Sequence, residues 1–490
     1  MQKIKFDFNN IFDFSVGKEH GVQEQDLTES LNFVKKAHEH LVKLTENARV
    51  RIKLGLEWTQ LPYQNKTIIK EIQNLGNEIA GKYKNVIFLG IGGSYLGLKA
   101  AQDALLEPYY NEFSILRKKG AKIYFCGNNL DPNTLHALLK NLNPKKTLTV
   151  VISKSGETTE TKAAFMVVEA WLKKTIGIKY GRQFITITDP ESGSLREKTK
   201  KEQEKDKLSF RNMPLLKGVG GRFSEFNAGL LHLAIAGINI QEVLDGAGQM
   251  AKQCSEVDIF KNPALMYAAL HTILYQKKRK NIAVIMPFCE ALKSTADWYI
   301  QLLAESLGKK YARKIETDDN GIENWLQDKN RILNTGRTPI AAVGTGDLHS
   351  IQQNNIEGEN NKVVTFIKIE KFKKEIKIPG KNDILAGKGF SELMNLAQEA
   401  TEWALVQEKR PNCAIIMPEV SPFYWGALLF FFEIATAFEG ELLDINAFDQ
   451  PGVEGYKNYI YCKLKKPGIP ESILQEVNNH PLVKEPKFIL

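Results

Sequence analysis

Residues 86–94 read Val86-Ile87-Phe88-Leu89-Gly90-Ile91-Gly92-Gly93-Ser94, an apolar run that ends in a glycine-rich turn. Four consecutive apolar residues without alternation are typical of a strand buried on both faces of a parallel sheet. The turn leads into a predicted helix that continues through Ala100. This stretch therefore predicts a strand, a tight turn and a helix, which is the repeating unit of an open α/β sheet.

The same unit recurs along the chain. Short apolar runs separated by helical segments lie at 122–125, 148–152, 184–188, 282–286, 340–343, 363–367 and 413–417. Strands that alternate with helices form parallel sheets with helices on both faces. The sequence therefore predicts an α/β protein with two doubly wound, mostly parallel sheets. Ligands of such sheets bind beyond the carboxyl ends of the strands, where the helices begin.

The length of the chain indicates more than one domain. A chain of 490 residues is longer than one hydrophobic core usually supports, and its 43% hydrophobic and 25% charged residues are ordinary for a folded protein. The predicted organisation is an N-terminal helical segment at 1–50, a first sheet domain at 51–205, a connecting helical segment at 206–275 that carries Gly220-Gly221-Arg222, a second sheet domain at 276–445, and a C-terminal helical segment at 446–490 that carries Lys457.

Composition narrows the class of partner. The formal charge of +9 favours anions, but the basic residues do not alternate with aromatic ones, so a nucleic-acid partner is not expected. The longest nearly apolar stretch, 423–438, contains Glu433 and is shorter than the roughly 20 residues of a membrane helix, so it predicts a buried helix or a subunit interface. Five cysteines without a C-x-x-C pair, and no recognisable signal peptide, predict a cytoplasmic protein.

The glycine turn lacks the features of a nucleotide site. A dinucleotide fingerprint beginning at Gly90 requires glycine where Tyr95 stands, and the next strand is followed by Cys126-Gly127-Asn128 without an acidic residue for a ribose. The G-x-x-x-x-G-K-[ST] loop of nucleoside triphosphate sites is also missing from the sequence. His38 and His40 lie two residues apart on a predicted helix, where side chains diverge. No cofactor and no metal are therefore expected.

A hydroxyl-rich loop follows the apolar run at 148–152 and reads Ser153-Lys154-Ser155-Gly156-Glu157-Thr158. Its three hydroxyls, together with the free N–H groups at the start of the next helix, are suited to bind a phosphate dianion. The alternative is a helix N-cap, because serine and threonine are preferred there. Both can hold together, although three hydroxyls and a lysine exceed what a cap requires.

Two further stretches supply charge. Gly220-Gly221-Arg222-Phe223-Ser224 combines glycines, which permit close backbone approach, with a guanidinium that stays protonated at any working pH, as binding of an oxyanion requires. The alternative is a surface turn with a solvated arginine.

Gln301 and Glu305 lie four residues apart and hence on one face of a helix. A carboxylate there is suited to act as a general base, and the alternative is an ordinary surface charge.

Two candidates follow later in the chain. His349 follows Gly344-Thr345-Gly346-Asp347-Leu348 where a strand gives way to a helix, and the alternative to a catalytic role is a capping or buried histidine. Gln450 and Lys457 lie on either side of Pro451-Gly452, and proline fits the first turn of the helix that carries the lysine. The lysine is suited to exchange a proton with a substrate oxygen, or else it is a surface amine.

In this order, the motifs resemble those of the phosphoglucose isomerase family, whose members interconvert glucose 6-phosphate and fructose 6-phosphate. The resemblance spans residues 90–457. It implies two domains of the sugar isomerase (SIS) type and a homodimer in which His349 reaches the site of the neighbouring subunit. Leu348, Ser155 and Gly156 depart from the most familiar pattern, and the two loop residues are expected to bear on phosphate affinity rather than on the chemistry.

The resemblance also implies a role for each candidate. His349 and Lys457 would open the sugar ring, Glu305 would move a proton between C2 and C1, and Arg222 would hold the developing oxyanion. The substrate and its phosphate would be bound by Gly93, Ser94, Ser153, Lys154, Ser155, Thr158, Gln301 and Gln450.

The sequence thus predicts reversible isomerisation of glucose 6-phosphate to fructose 6-phosphate through a cis-enediolate, a step of glycolysis and gluconeogenesis. One alternative is a non-catalytic sugar-phosphate sensor, although a sensor needs none of Glu305, His349 and Lys457. The other is an isomerase that also accepts mannose 6-phosphate. The expected partners are a small sugar phosphate and a second copy of the chain, with no nucleic acid and no membrane.

Overall fold

The computed structural model describes residues 2–117 and 120–490. The chain divides into a large unit that ends at Ala447 and a small unit, Phe448–Leu490. In chain order the strands are β1 Lys5–Asp7, β2 Asn85–Leu89, β3 Lys122–Cys126, β4 Thr147–Ile152, β5 Phe184–Thr188, β6 Arg211–Pro214, β7 Ile282–Pro287, β8 Lys309–Thr317, β9 Glu323–Thr335, β10 Thr338–Ala341, β11 Lys362–Ile369 and β12 Asn412–Met417. The α-helices are α1 Asp13–Val16, α2 Glu24–Glu46, α3 Ala48–Leu54, α4 Lys66–Lys82, α5 Leu96–Leu105, α6 Ser114–Arg117, α7 Pro132–Asn141, α8 Thr159–Ile176, α9 Ser194–Lys205, α10 Leu230–Ile235, α11 Ile240–Cys254, α12 Pro263–Lys278, α13 Lys293–Leu307, α14 Gln352–Glu357, α15 Phe390–Gln407, α16 Pro422–Leu442, α17 Glu454–Lys463 and α18 Glu471–Asn479.

The first sheet has the strand order β3-β2-β4-β5-β6, and all its pairs are parallel. Leu89 at the end of β2 lies opposite Cys126 of β3 and Val151 of β4, so the carboxyl ends of these strands meet at one edge. Leu89 packs in one core with helix α8, whereas its neighbour Phe88 contacts His232 of α10 with ring centroids 5.2 Å apart. Helices therefore cover both faces, which is why the strand is a continuous apolar run.

The second sheet has the order β1-β12-β11-β7-β10. Strand β1 pairs antiparallel with β12, and the other pairs are parallel. Its core contains Val284 and Met286 of β7, Phe366 of β11 and Ala414 of β12, with Leu405 of α15 packed among them. The predicted α/β fold with parallel sheets is confirmed.

The structure also contains strands that the sequence does not predict. These are β1, β6 and the antiparallel hairpin of β8 and β9. The segment 1–50, which is predicted to be helical, begins with strand β1 and continues with helices α1 and α2 and the start of α3. No residue of β1 or β6 is fully buried, and β9 is mostly exposed, so these strands lack the apolar run that identifies a central strand. The domain boundaries stay a prediction.

Helix α16 is buried along almost its whole length. It follows Ser421, whose hydroxyl accepts a hydrogen bond from the Tyr424 backbone N–H at 3.4 Å, and Pro422 occupies its first turn. Every residue from Tyr424 to Leu442 is buried, Glu433 included. The apolar stretch 423–438 is thus a buried helix, one of the two expected outcomes. In the described parts of the chain, no helix is long and apolar enough to cross a bilayer.

The small unit consists of helices α17 and α18 with short turns before and after them. A 3-10 turn, Pro451–Val453, leads into α17, and proline stands at its first position as expected. Lys457 lies in the first half of α17, where its amine donates a hydrogen bond of 2.8 Å to Glu454.

Candidate active site

The glycine turn after β2 packs against the Gly-Gly-Arg motif. Gly92–Ser94 is a 3-10 turn, and Gly92 has a φ of +57°, which glycine adopts without strain. A Cβ added to Gly93 would lie 1.7 Å from the carbonyl oxygen of Gly221, so only a residue without a side chain permits this approach. The hydroxyl of Ser224 donates to the same carbonyl at 2.7 Å. The two turns are therefore in backbone contact.

Arg222 is 3% exposed, and its guanidinium is bound on several sides. Nε donates to the hydroxyl of Ser306 at 2.8 Å, and Nη2 donates to the carbonyl of Ala447 at 2.6 Å. Nη1 contacts Oε2 of Glu305 at the longer distance of 3.3 Å. The short bonds fix the plane of the guanidinium, and Nη1 faces the carboxylate of Glu305. Arg222 is thus not a solvated surface residue.

Helix α13 places Glu305 beside this guanidinium. Gln301, one turn earlier, donates from Nε2 to Glu305 Oε1 at 3.1 Å, while Arg222 contacts the other oxygen. The Glu305 side chain is 31% exposed, so part of the carboxylate faces solvent. A carboxylate that is held at both oxygens and open on one side has the fixed direction and the access that a general base needs.

Gln301 connects helix α13 to the glycine turn. A Cβ added to Gly92 would lie 2.9 Å from Gln301 Nε2, so the amide packs directly on the turn. Oε1 of Gln301 is buried and meets no hydrogen-bond donor among the residues that the structure describes. A buried acceptor usually has a partner. This oxygen is therefore suited to accept a hydrogen bond from a substrate hydroxyl.

The hydroxyl-rich loop lies at the end of β4, the strand next to β2. Ser153 is buried, and its Oγ accepts a hydrogen bond from the Gly156 N–H at 3.0 Å. Ser155 Oγ accepts from the Glu157 N–H at 3.1 Å. Both serines thus act as acceptors within the loop, which leaves their hydroxyl protons available to a ligand. Thr158 is the N-cap of α8 but makes no side-chain cap bond, so capping alone does not account for the loop.

The loop and the glycine turn stand at the same edge of the first sheet. The Gly90 N–H donates to the carbonyl of Cys126 at 3.2 Å, and Thr161 of α8 donates to the carbonyl of Gly127 at 3.4 Å. Lys154 is exposed at this edge. The positive end of the α8 dipole therefore lies beside the glycine turn, which favours an anion there.

His349 is not in hydrogen-bond contact with this cluster. It ends a 3-10 turn, Gly346–His349, beyond β10. Its side chain is exposed and bonds to no residue within the described ranges, so it is neither a capping nor a buried histidine. The turn is held instead by Asp347, whose carboxylate accepts bonds from the Val343 N–H at 2.7 Å and the Ser350 hydroxyl at 2.8 Å. The role of His349 stays a prediction.

Gln450 and Lys457 belong to the small unit. Burial lowers the pKa of the Lys457 amine, but the hydrogen bond and charge of Glu454 outweigh burial and hold this pKa above its ordinary value. Lys457 is thus protonated at neutral pH and can act only as an acid until it gives up that proton. Gln450 is exposed. The roles of both residues stay predictions.

Sequence reasoning assigned no role to several residues that hold the site. Ser306, which anchors Arg222, adjoins Glu305 in the chain and could have been found from that position. Ala447 acts through its main-chain carbonyl and leaves no signal in the sequence. Glu225 is 2% exposed and accepts a hydrogen bond from Trp298 of α13 at 2.8 Å; its signal is an acidic residue beside large apolar ones.

The described side chains show what kind of chemistry this edge supports. Nowhere in 2–117 or 120–490 do three His, Cys, Asp or Glu side chains come together as a metal site would require. The groups present are a carboxylate between an amide and a buried guanidinium, and a hydroxyl-lined loop at a helix start. On two mostly parallel sheets, these groups are suited to bind a phosphorylated substrate and to move a proton on it, as an α/β isomerase of phosphorylated sugars requires.

Comparisons with known proteins agree with this class. The family model for phosphoglucose isomerase matches residues 62–466, and the chain belongs to this family. A glucose-6-phosphate isomerase from Carboxydothermus hydrogenoformans is 40% identical over 494 residues, which cover 99% of each chain. A glucose-6-phosphate isomerase from Symbiobacterium thermophilum is 34% identical and covers 84% of this chain and 87% of its own. The predicted resemblance is confirmed.

Solved structures show the same fold. A hypothetical protein from Thermus thermophilus superposes with a TM-score of 0.78 at 29% identity, covering 95% of this chain and 100% of its own. A glucose-6-phosphate isomerase from Chlamydia trachomatis superposes with a TM-score of 0.72 over 92% of this chain and 89% of its own. Because the second pair is only 20% identical, that likeness speaks for the fold alone.

Proposed function

We propose that the chain catalyses the reversible isomerisation of glucose 6-phosphate and fructose 6-phosphate through a cis-enediolate, a reaction of glycolysis and gluconeogenesis. Membership of the family supports the reaction. The observation that carries the residue assignment is the carboxylate of Glu305, held between Gln301 and the buried Arg222 with one side open to solvent.

Glu305 is the proton carrier in this proposal. It takes the proton from C2 of the open-chain aldose. The electron pair of that bond forms the C1–C2 double bond, and the oxygen on C1 becomes the oxyanion. The hydroxyl proton on O2 moves to O1, C2 becomes the carbonyl carbon, and Glu305 returns its proton to C1. One carboxylate suffices because a cis-enediolate presents both carbons to the same side of the site.

Arg222 is the oxyanion partner. Its guanidinium stays protonated throughout the reaction, so it stabilises the negative oxygen without competing for the transferred proton. The bonds to Ser306 and Ala447 hold it in place before substrate arrives. A charge that is already in position needs no reorganisation when the oxyanion forms, and this is the main source of its effect.

The hydroxyl-rich loop is proposed to bind the phosphate. Ser153, Ser155 and Thr158 supply hydroxyl protons, and the start of α8 supplies backbone N–H groups and a favourable dipole. Lys154 adds a positive charge. Gly93 and Ser94 line the neighbouring turn, while Gln301 and Gln450 are assigned to the sugar hydroxyls.

Ring opening is assigned to His349 and Lys457. A protonated Lys457 can donate to the ring oxygen, which fits the raised pKa of its amine. The exposure of His349 supports a homodimer in which this histidine serves the site of the neighbouring subunit. The proposed location is the cytoplasm, where both sugar phosphates occur.

A coupled assay tests the reaction and its base together. Fructose 6-phosphate is supplied, and the glucose 6-phosphate formed is measured with its dehydrogenase. Glu305→Gln is expected to lower kcat by about 10²–10⁴-fold, the range for a lost general base. The control is Glu316→Gln, since Glu316 is an exposed glutamate that pairs with Lys314 at 2.6 Å on the hairpin. A Glu305→Gln variant with wild-type kcat would refute the assignment.

Two further measurements separate the alternatives. Release of tritium from C2-labelled glucose 6-phosphate is expected for the isomerase and not for a sensor. The same assay with mannose 6-phosphate tells whether the opposite configuration at C2 is accepted.

Mixing Glu305→Gln chains with His349→Ala chains is expected to restore part of the activity, because one hybrid site then has both groups. No restoration would mean that each site is built from a single chain.

A further inference from the structure

Two carboxylic acids lie side by side in the core of the large unit. Glu225 and Glu433 are 2% and 0% exposed. Oε1 of Glu225 accepts a hydrogen bond from Nε1 of Trp298 at 2.8 Å. Oε2 of Glu225 and both oxygens of Glu433 meet no N–H or O–H donor in the described chain. Each carboxyl group acts on the pKa of the other through a side-chain hydrogen bond, and such a bond needs a proton on one of the two groups.

Among residues 2–117 and 120–490, no lysine, arginine or histidine donates to Oε2 of Glu225 or to either oxygen of Glu433. The neighbours of Glu225 are Trp298 of helix α13, Gly97 of α5 and Glu433 of α16. Arg222, on the same segment as Glu225, is bound to other partners. Burial raises the pKa of Glu225 to about 7, and burial together with the charge of Glu225 raises that of Glu433 well above its usual range. Two adjoining carboxyls in such a place do not ionise together near neutral pH.

Glu225 lies where the parts of the proposed site converge. It follows Arg222 by three residues, and its partner Trp298 precedes Glu305 by seven residues on α13, which is two helical turns along the same face. A Cβ added to Gly97, in the helix after the glycine turn, would lie 2.3 Å from Glu225 Cγ. The hydrogen bond to Trp298 therefore joins the segment of Arg222 to helix α13, which carries Glu305. Both pack against helix α5, which follows the glycine turn.

We propose that Glu225 and Glu433 form a carboxyl pair that shares one proton and positions Arg222 against Glu305. The inference rests on the roles proposed above for Arg222 and Glu305. While the pair holds its proton, the segment of Glu225 is fixed to α13 and α16. Removal of that proton puts two negative charges together in an apolar core, and their repulsion separates the elements that the pair joins.

Variants that cut the link test the positioning role. Trp298→Phe and Glu225→Leu are expected to lower kcat about tenfold or more while KM for fructose 6-phosphate changes less than about threefold, because misplacement of the reacting groups affects the chemical step. Glu225→Gln keeps an acceptor for Trp298 and gives Glu433 a donor, so most of kcat should return. The control is Trp325→Phe, which removes a buried indole hydrogen bond of 2.8 Å on the hairpin.

The pH profile separates positioning from simple stabilisation. The pair binds protons more tightly in the folded chain than in the unfolded chain. The free energy of unfolding of the wild type therefore falls as the pH rises from the carboxyl pKa of the unfolded chain through the pKa values of the folded pair. The kcat of the wild type is expected to fall in the alkaline range as the second carboxyl ionises. In Glu433→Gln one acid is gone, and this alkaline fall should move to higher pH. A purely structural pair would leave the pH position of the fall unchanged.

Three outcomes overturn the proposal: a folded Trp298→Phe variant with wild-type kcat, a Glu225→Gln variant as impaired as Glu225→Leu, or an unchanged alkaline limb in Glu433→Gln. Circular dichroism checks folding, and if the leucine variant does not fold, the other two variants still decide. Failure of the catalytic assignments is a separate result. It would appear as full activity in Arg222→Ala, whatever the pair does.

Discussion

Replacing Gly93 with alanine tests how closely the arginine segment must be held. The added Cβ would lie 1.7 Å from the Gly221 carbonyl oxygen, and real contacts of this kind are essentially never below 3.0 Å. The two backbones must therefore separate by at least about 1.3 Å, the difference between these distances. Both atoms belong to main chain or to Cβ, so no rotamer change relieves the contact. The displacement passes directly to Arg222, the next residue.

A shift of this size exceeds the roughly 0.5 Å within which a catalytic group must be held. Misplacement by about 1 Å can cost 10²-fold in rate, so kcat is expected to fall about 100-fold, equivalent to about 2.7 kcal/mol of barrier. Overpacking should also lower stability by about 1–3 kcal/mol. The coupled assay with fructose 6-phosphate gives kcat, and thermal unfolding followed by circular dichroism gives the stability.

Gly220→Ala is the matched control in the same motif. A Cβ there would have Phe223 Cδ2 as its nearest neighbour at an ordinary 3.7 Å, and the residue has a φ of −76°. Its activity should stay within about threefold of the wild type, as expected for a substitution without strain. A folded Gly93→Ala variant with kcat in that same range would refute the reasoning, because the position of Arg222 would then not depend on this backbone contact.

Three other predictions concern the proposed roles. Arg222→Ala should lower kcat on the order of 100-fold or more, since loss of one preorganised oxyanion donor costs about 3–4 kcal/mol, and steady-state kinetics would show it. Ser153→Ala combined with Thr158→Ala should raise KM for fructose 6-phosphate at least about tenfold, because each hydrogen bond to a charged group contributes about 1.5–3 kcal/mol. If KM and the competition by inorganic phosphate both stay unchanged, the loop is not the phosphate site. Glu454→Gln, made in the Glu433→Gln background so that the carboxyl pair does not set the alkaline limb, should move that limb to lower pH, since Glu454 holds the pKa of Lys457 up and an acid is lost as pH rises through its pKa. A limb that stays in place in this background would remove Lys457 from the ring-opening step.

Much of the fold was predictable because central strands are covered on both faces. Burial on both sides requires apolar residues at every position, so β2, β4 and β5 appear in the sequence as continuous runs. The edge strand β1 and the hairpin of β8 and β9 were not predictable, since a half-exposed strand tolerates polar residues and gives no such run. Their pairing depends on which neighbour is available in the folded chain.

The chemistry-bearing residue types were likewise readable from local patterns. A hydroxyl-rich loop between a strand and a helix, and a carboxylate one turn from an amide, are features of a few neighbouring residues, and the sequence alone determined them. It could not determine that Arg222 is buried against Ser306 and Ala447, that Gly93 rather than Gly220 is the glycine without room for a side chain, or that Glu225 meets Glu433. Those contacts join residues from more than 80 to more than 200 positions apart. They exist only because sheet order and helix packing bring distant backbones together, and no local pattern records that distance.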